Sequence, residues 1–207
     1  MSNECSKAAK RRAQDLLFTE LAFVGEGIDI GAGPDGLSSQ GALFPRMGSV
    51  RLWDIPDGDA MLMQGVEDNT FDFVHSSHCL EHLVNPATAL GHWLRIVKPG
   101  GFVVVTIPDE DLYEQGQFPS TFNGDHKFTF TTFKTRSWSA HTVNVLPMLC
   151  AIRPPCQVIK VEQILAKYDW EGERRDLTWL TDAECAIEIV LRKPTARELE
   201  QGGRLRG

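Results

Sequence analysis

The feature that most limits how this chain can fold is a short apolar strand that runs straight into glycines. Gly27-Ile-Asp-Ile30 reads as a strand, and Gly31-Ala-Gly33-Pro-Asp-Gly36 follows with no spacer. Glycines there allow a sharp turn and close backbone approach. Further strands are expected at Val50-Arg-Leu-Trp53, stopped by Asp54-Ile-Pro56, and at Phe71-Asp-Phe-Val-His75, which alternates in period two. Phe102 to Ile107 is continuously apolar and β-branched, as a strand buried on both faces would be. Gln157 to Val161 and Ala186 to Leu191 are two late strand candidates.

Helical segments separate these strands. Pro86 to Val97 opens with proline in the first turn and is stopped by Lys98-Pro-Gly-Gly101; Trp93 shares its core register with Leu90, Leu94 and Val97. Ala8 to Phe23 carries Ala9, Ala13, Leu16, Leu17 and Leu21 at helical spacing and reads as a leading amphipathic helix ended by Gly25 and Gly27. Alternation of this kind predicts an α/β fold, a doubly wound and mostly parallel sheet with helices on both faces.

At 207 residues the chain fits one domain, taken as residues 1–193, followed by a charged, glycine-rich tail over 194–207 that reads as frayed. Apolar residues at 42% and charged residues at 24% argue against a disordered or fibrous chain. No apolar run is long enough to span a bilayer, and the polar, basic stretch Met1 to Arg12 lacks the apolar core of a secretory signal. A net charge of −7 has the wrong sign for general attraction to nucleic acid. The local cluster Lys7, Lys10, Arg11 and Arg12 reads as a solvated helix end. Five cysteines, never spaced Cys-x-x-Cys, fit reduced thiols in a cytoplasmic protein rather than a disulfide framework or zinc site. Residues 108–156, rich in aromatics, Pro, Asn and His, interrupt the alternation; they read as a lid or substrate wall, the other reading being an oligomer interface.

The glycine loop has the form Gly-x-Gly-x-x-Gly, and Asp54 lies about 20 residues beyond it, where a carboxylate can hold ribose hydroxyls. That pattern alone does not separate a dinucleotide from S-adenosylmethionine. Charge does. Asp29 sits two residues before the first glycine and points the same way as Gly31. No Lys or Arg occurs between Arg12 and Arg46, whereas Glu26, Asp29 and Asp35 do. Such a loop repels pyrophosphate and suits a ligand bearing an ammonium and a sulfonium; alternatively, Asp29 caps a neighbouring backbone group. On the first reading, Asp29→Ala abolishes cofactor binding with the fold largely intact.

Five stretches in order, Ile28-Asp-Ile-Gly-Ala-Gly-Pro34, Gly58-Asp-Ala60, Asp68-Asn-Thr-Phe-Asp-Phe-Val74, Ser76-Ser-His-Cys-Leu-Glu-His-Leu83 and Val97-Lys-Pro-Gly-Gly101, cover roughly Gly25 to Pro108. Through them the chain resembles the small single-domain class I S-adenosylmethionine-dependent methyltransferases of the type 11 kind. The resemblance implies a Rossmann-like sheet, with Asp29, Gly31, Ala32 and Gly33 around the methionine end of the cofactor. By the same carry-over Asp54 holds the ribose, Asp59 and Ala60 border the adenine, and Ser77, His78 and His82 follow the strand at the switch point. The family places a helix and a strand between its two acids, yet only four residues separate Asp54 from Asp59. Either that unit is deleted and the sheet is a strand short, or one acid has another job.

Methyl transfer is an in-line displacement, so positioning carries much of it and a base is needed only for a protonated acceptor. His78 and His126, the latter in Asn123-Gly-Asp-His126-Lys127, are the candidate catalytic groups. His82 is also read as a packing residue, Glu81 as tying down its loop, and Tyr113, Glu114 and Phe118 as lining the same wall. His75 is placed in the sheet, and His92 and His141 at surfaces. No metal is expected: His78 and His82 share the spacing of a helical zinc pair, but the glycine loop argues for another use of that turn. Neither Gly-x-Ser-x-Gly nor Asn/Asp-Pro-Pro-Tyr/Phe occurs, and Ser76-Ser-His-Cys79 stands where the latter would lie. The expected function is S-adenosylmethionine-dependent methylation of a small or sugar-like acceptor, with no nucleic acid or membrane partner and a homo-oligomer allowed. The alternatives are a nicotinamide-dependent oxidoreductase of Rossmann type and a non-catalytic relative that binds the cofactor.

Overall fold

The computed structural model describes residues 3–202. Six strands form the main sheet: β1 (Gly25–Ile30), β2 (Met47–Trp53), β3 (Phe71–Ser77), β4 (Val97–Pro108), β7 (Gln157–Ala166) and β8 (Glu184–Arg192). Their order is β2-β1-β3-β4-β8-β7. The first four are mutually parallel, and β8 runs antiparallel to both β4 and β7. No strand lies beyond β2 among the described residues, and only turns and a short 3-10 segment (Ile55–Asp57) connect β2 to β3. The helix–strand unit between Asp54 and Asp59 is deleted, as the spacing allowed.

Each sheet face is covered. Helices α2 (Pro86–Ile96) and α3 (Val145–Ala151) pack Leu90, Trp93 and Leu149 against Ile28, Val74 and Val105. Helix α1 (Glu4–Arg12) and the turns after it cover the other face with Cys5, Ala9, Phe18 and Phe23 over Phe73, Val104 and Val190. Phe73 lies so close to β1 that a Cβ on Gly27 would stand 2.1 Å from its ring. The stop expected at Lys98–Gly101 belongs instead to β4, as a detour: the register passes from Phe71↔Val97 to Phe73↔Phe102.

Three expectations are corrected. The leading helix is not continuous: α1 ends at Arg12, and a separate π-helical turn spans Leu17–Ala22. The break arises because the Asp15 carboxylate accepts the Leu17 N–H at 2.8 Å and starts a new turn. Leu16 and Leu21 are consequently 73% and 58% exposed.

The basic cluster is not a solvated end. Lys7 and Arg12 are buried, and Arg12 Nε donates to Glu188 at 2.6 Å. Arg11 binds Glu184 and Glu188 through four hydrogen bonds of 2.9–3.1 Å. The tail is ordered as far as α4 (Ala196–Glu200), where Thr195 caps the helix and Glu198 meets Arg192 at 2.8 Å; residues 203–207 lie outside the described residues.

All five cysteines are free. Among the described residues no helix is long and apolar enough to cross a membrane. Residues 108–156 contain a turn at Glu110–Glu114, a two-stranded parallel sheet of β5 (Thr129–Thr131) and β6 (Thr142–Asn144), and α3. Buried Glu110 holds this segment together, accepting from Thr129, Lys134, Ser137 and Thr142.

Candidate functional site

The turn at the end of β1 requires glycine on two counts. Gly31 has φ +75°, and a Cβ there would lie 2.5 Å from that of Cys79. Its N–H donates to the Trp53 carbonyl at 2.8 Å, tying the loop to β2. After Gly36 the chain enters a 3-10 segment (Leu37–Leu43) rather than an α-helix.

Asp29 lies beneath this loop, 1% exposed. Its Oδ2 accepts the Leu37 N–H at 2.7 Å, and its Oδ1 is 2.6 Å from His75 Nδ1. The Arg12 guanidinium, which has donors only, stands 3.0 Å from His75 Nε2. Nε2 must therefore accept, so His75 carries its proton on Nδ1 and donates it to Asp29 Oδ1. Asp35 binds Ser6 through the Ser6 N–H at 3.0 Å and the Ser6 hydroxyl. That clamp brings Glu4 and Cys5 over the loop, closing a cavity of about 140 Å³ whose walls include Glu4, Asp29, Gly31, Ala32, Asp35 and Ser77. Three of its nine lining residues, Glu4, Asp29 and Asp35, carry carboxylates. The buried Ser77 hydroxyl has no hydrogen-bond partner.

A second cavity of about 350 Å³ adjoins the first and shares Gly31 and His78 with it. Asp54, Ile55, Ala60, His82 and Leu83 line it. Asp54 exchanges hydrogen bonds with the turn it starts, accepting from Ile55 N–H at 2.8 Å while its own N–H donates to Asp57 at 2.9 Å. The Ala60 carbonyl accepts from Trp93 Nε1 at 2.8 Å, which fixes this wall to α2. Asp59 is exposed and binds the Met61 N–H at 2.8 Å, off the lining, and Gly33 is likewise absent from both linings. A larger cavity of about 620 Å³, between Arg95, Arg153 and Lys193, shares no lining residue with these two.

His78 stands at the junction with φ +53°, an unusual backbone for a residue with a side chain. Its Nδ1 is 3.4 Å from Glu81 Oε1 and its Nε2 3.7 Å from Glu4 Oε2. Burial pushes its pKa down, but the carboxylates of Glu81 and Glu4 outweigh that and raise it. Glu81 and His82 follow in the next turn, and the segment over 108–156 arrives there too. The Lys127 N–H donates to the Glu81 carbonyl at 2.9 Å. His126 Nδ1 is 2.7 Å from Glu114 Oε1, its ring centroid is 5.0 Å from that of His82 and 5.3 Å from that of Tyr113. Phe118 packs apart from this group, 5.2 Å from the His141 ring.

The structure thus brings Asp29, Gly31, Ala32, Asp54, Ala60, Ser77, His78 and His82 around one groove, with His126 on its rim. Glu4 and Asp35 were missed as site residues, whereas Glu114, read as part of the wall, is the residue that holds His126. Glu4 had no local signal, since its place depends on a contact made only by the folded chain; the acidity of the loop hinted at Asp35.

The family described as "Methyltransferase domain" matches residues 7–140. An uncharacterized methyltransferase of Schizosaccharomyces pombe is 38% identical over 58 residues, 28% of this chain and 20% of that protein. Phosphoethanolamine N-methyltransferase 2 of Caenorhabditis elegans is 29% identical over 76 residues, 37% of this chain and 17% of that protein. These matches span a fifth or less of the relatives' own length. A solved Bacillus halodurans structure aligns with a TM-score of 0.57 at 16% identity, covering 89% of this chain and 98% of that one. A SAM-dependent methyltransferase from Archaeoglobus fulgidus aligns with a TM-score of 0.56 at 16% identity, covering 93% and 95%. These structural matches establish a shared fold. With more than half of its length matched, the chain belongs to the methyltransferase-domain family and has a Rossmann-like sheet.

Proposed function

We propose that this chain transfers the methyl group of S-adenosylmethionine to a small-molecule or sugar-like acceptor at the ends of β1 and β3. The observation that carries the reading is the meeting of two unlike cavities at Gly31 and His78. The smaller is walled by Glu4, Asp29 and Asp35 and suits the ammonium end of the cofactor. The larger, with Ile55, Ala60 and Leu83 beside Asp54, suits an adenosyl group whose ribose needs one acceptor.

In this reading Asp29 supplies fixed negative charge, held in place by His75 and the Leu37 N–H. Gly31 and Ala32 form the floor, Gly33 shapes the turn, and the Ser77 hydroxyl offers its unused hydrogen bond to the ligand. Asp54 takes the ribose and His82 borders the adenosyl side, while Asp59 orders the turn that presents Ala60. Bound there, S-adenosylmethionine supplies a methyl carbon on a positively charged sulfur for in-line displacement. The chain then has to align the acceptor and keep water out. His78, which borders both cavities, can take the proton of a protonated acceptor, and His126, packed beside His82, is the second candidate. The exposed rings of Phe133 and Trp138 in the 108–156 segment offer stacking surface for a sugar-like substrate.

The nicotinamide alternative is disfavoured by the same groove. It would need an α-helix N-terminus facing a pyrophosphate, and here a 3-10 segment follows the loop and three acids line the pocket. Titration calorimetry is expected to show binding of S-adenosylmethionine and S-adenosylhomocysteine and none of NAD. Binding of NAD alone would overturn the reading. Release of S-adenosylhomocysteine with hydroxylated acceptors separates an enzyme from a relative that only binds the cofactor.

A further inference from the structure

We propose that Glu81, His82 and His126 form a divalent-cation site on the rim of the groove. One ligand atom from each lies within 4.8 Å of the other two. Glu81 is fully buried, yet neither carboxylate oxygen has a hydrogen-bond partner. A buried carboxylate normally finds donors or a metal ion. Here it faces imidazoles.

The His126 imidazole is prepared for coordination. His126 Nδ1 lies 2.7 Å from Glu114 Oε1, so Nδ1 donates its proton there and the lone pair is left on Nε2, 3.9 Å from Glu81 Oε1. A carboxylate holding the far nitrogen is the usual support of a metal-bound histidine. The Lys127 N–H bond to the Glu81 carbonyl fixes the two segments together. Donor atoms around an ion at about 2.1 Å stand roughly 3–3.5 Å apart, so the Glu81–His126 pair needs to close by about 0.5 Å.

A second trio, Cys5, Asp29 and His75, is equally close. It differs in that Leu37 occupies one oxygen of Asp29 and Arg12 the free nitrogen of His75. Its bonds are spent inside the fold, whereas those of Glu81 are not.

Three protein donors leave positions open, and His82 also lines the larger cavity. On the methyl-transfer reading, which this part of the inference rests on, the ion binds an acceptor hydroxyl or vicinal diol. The acceptor O–H then gives its proton to solvent, the new C–O bond forms, and the C–S bond breaks with its electron pair passing to sulfur. The ion is unchanged, and the products are a methyl ether, S-adenosylhomocysteine and a proton.

His78 also approaches Glu81, at 3.4 Å, and a plain Glu81–His78 ion pair is the arrangement to be separated. The full chain, stripped with chelator, is titrated with Co²⁺ and followed by its visible absorption, then competed with Zn²⁺. Saturable binding displaced by Zn²⁺ is expected. His126→Ala and Glu81→Gln should each weaken Co²⁺ binding at least tenfold, and Glu114→Gln by about 10–100-fold. His92→Ala, at the distant cavity, should leave it unchanged. Absence of saturable absorption, or equal affinity in wild type, His126→Ala and Glu81→Gln, would overturn the site. Should His126→Ala fail to fold, Glu81→Gln and the wild-type titration decide. S-adenosylmethionine affinity on the same samples keeps the readings apart: cofactor binding without Co²⁺ binding removes the metal site alone, and loss of both removes both.

Discussion

Glu188 and Glu81 are both fully buried carboxylates, yet their surroundings are opposite. Glu188, in β8 opposite Thr106 of β4 and Glu162 of β7, is bonded by Arg11, Arg12 and Lys160. Glu81, in the turn after β3, has neither oxygen bonded. Burial pushes the Glu188 carboxyl up, but the charges and bonds of Arg12 and Arg11 hold it far below the usual range. A buried charge whose partners are all supplied by the chain belongs to the fold. Glu81 has only imidazoles close by, His78 at 3.4 Å and His126 at 3.9 Å, and that is the arrangement from which the proposed cation site is argued.

The sharpest way to break this contrast is to remove each carboxylate. Glu188→Ala leaves the buried Arg12 guanidinium without its carboxylate, while Arg11 keeps Glu184, and should cost about 3–5 kcal/mol. At roughly 2–4 °C per kcal/mol for a chain of this size, thermal unfolding should fall by about 10 °C. Glu81→Gln removes a charge whose nearest partner is the His78 imidazole at 3.4 Å and should cost far less, about 1 kcal/mol. Equal losses in urea titrations would make Glu81 another structural partner.

Asp109 is the intermediate case and gives the comparison a pH axis. One of its oxygens accepts the N–H groups of Asp111 and Leu112, and the other has no partner. Burial raises its pKa to about 6, against bonding that lowers it. Because the folded chain holds this proton more tightly than the unfolded one, Asp109 lowers stability as pH rises from about 4 through 6. Glu188 has the opposite sign: its contribution is present above the unfolded carboxylate pKa and disappears as pH falls through the folded value. Urea midpoints should therefore decline from about pH 4 to 6 as Asp109 ionises and, on the acid side, fall steeply below about 4 as Glu188 is protonated. Asp109→Asn, which keeps the cap, should flatten the upper limb, an effect on the order of 3 kcal/mol. An unchanged upper limb would place Asp109 among the satisfied carboxylates.

Next in size is Asp29, which combines both characters, since its bonds are filled but its charge faces the cavity. Asp29→Asn keeps an acceptor for the Leu37 N–H and removes the charge, so S-adenosylmethionine affinity should drop at least about tenfold, or 1.4 kcal/mol. Asp29→Ala also orphans His75 and the Leu37 N–H and should lose about 1–3 kcal/mol of stability. The alanine variant is thus expected to keep the fold at reduced stability, which makes Asp29→Asn the cleaner test of binding. Calorimetry showing unaltered affinity in Asp29→Asn would leave Asp29 only its role beneath the loop.

What was legible in the sequence follows from how far apart the interacting residues lie. The strands could be read because each is its own apolar run, and the glycine turn because Gly31 needs both its φ and its missing Cβ. The deleted unit could be read from the count between Asp54 and Asp59. The fate of Arg12 could not, because Glu188 lies 176 positions away. For the same reason the meeting of Glu81 with His126 was invisible: it depends on a segment that returns to the groove after leaving β4. Spacing rules report neighbours along an element. They are silent on pairs that the tertiary fold creates.

The smallest predicted effect tests the one periodic signal that misled. Had Ala8 to Phe23 been a continuous amphipathic helix, Leu16 and Leu21 would each contribute about 1.5–3 kcal/mol of burial. They are instead 73% and 58% exposed, because Asp15 breaks the helix and rotates the next turn so that Phe18 and Ala22 face inward. The double variant Leu16→Gln, Leu21→Gln should accordingly lie within about 0.5 kcal/mol of wild type in urea. A loss above about 2 kcal/mol would put the stripe back on the sheet. α1 would then be held by leucines rather than by Arg12, and the Glu188 cluster would lose the role that sets it apart from Glu81.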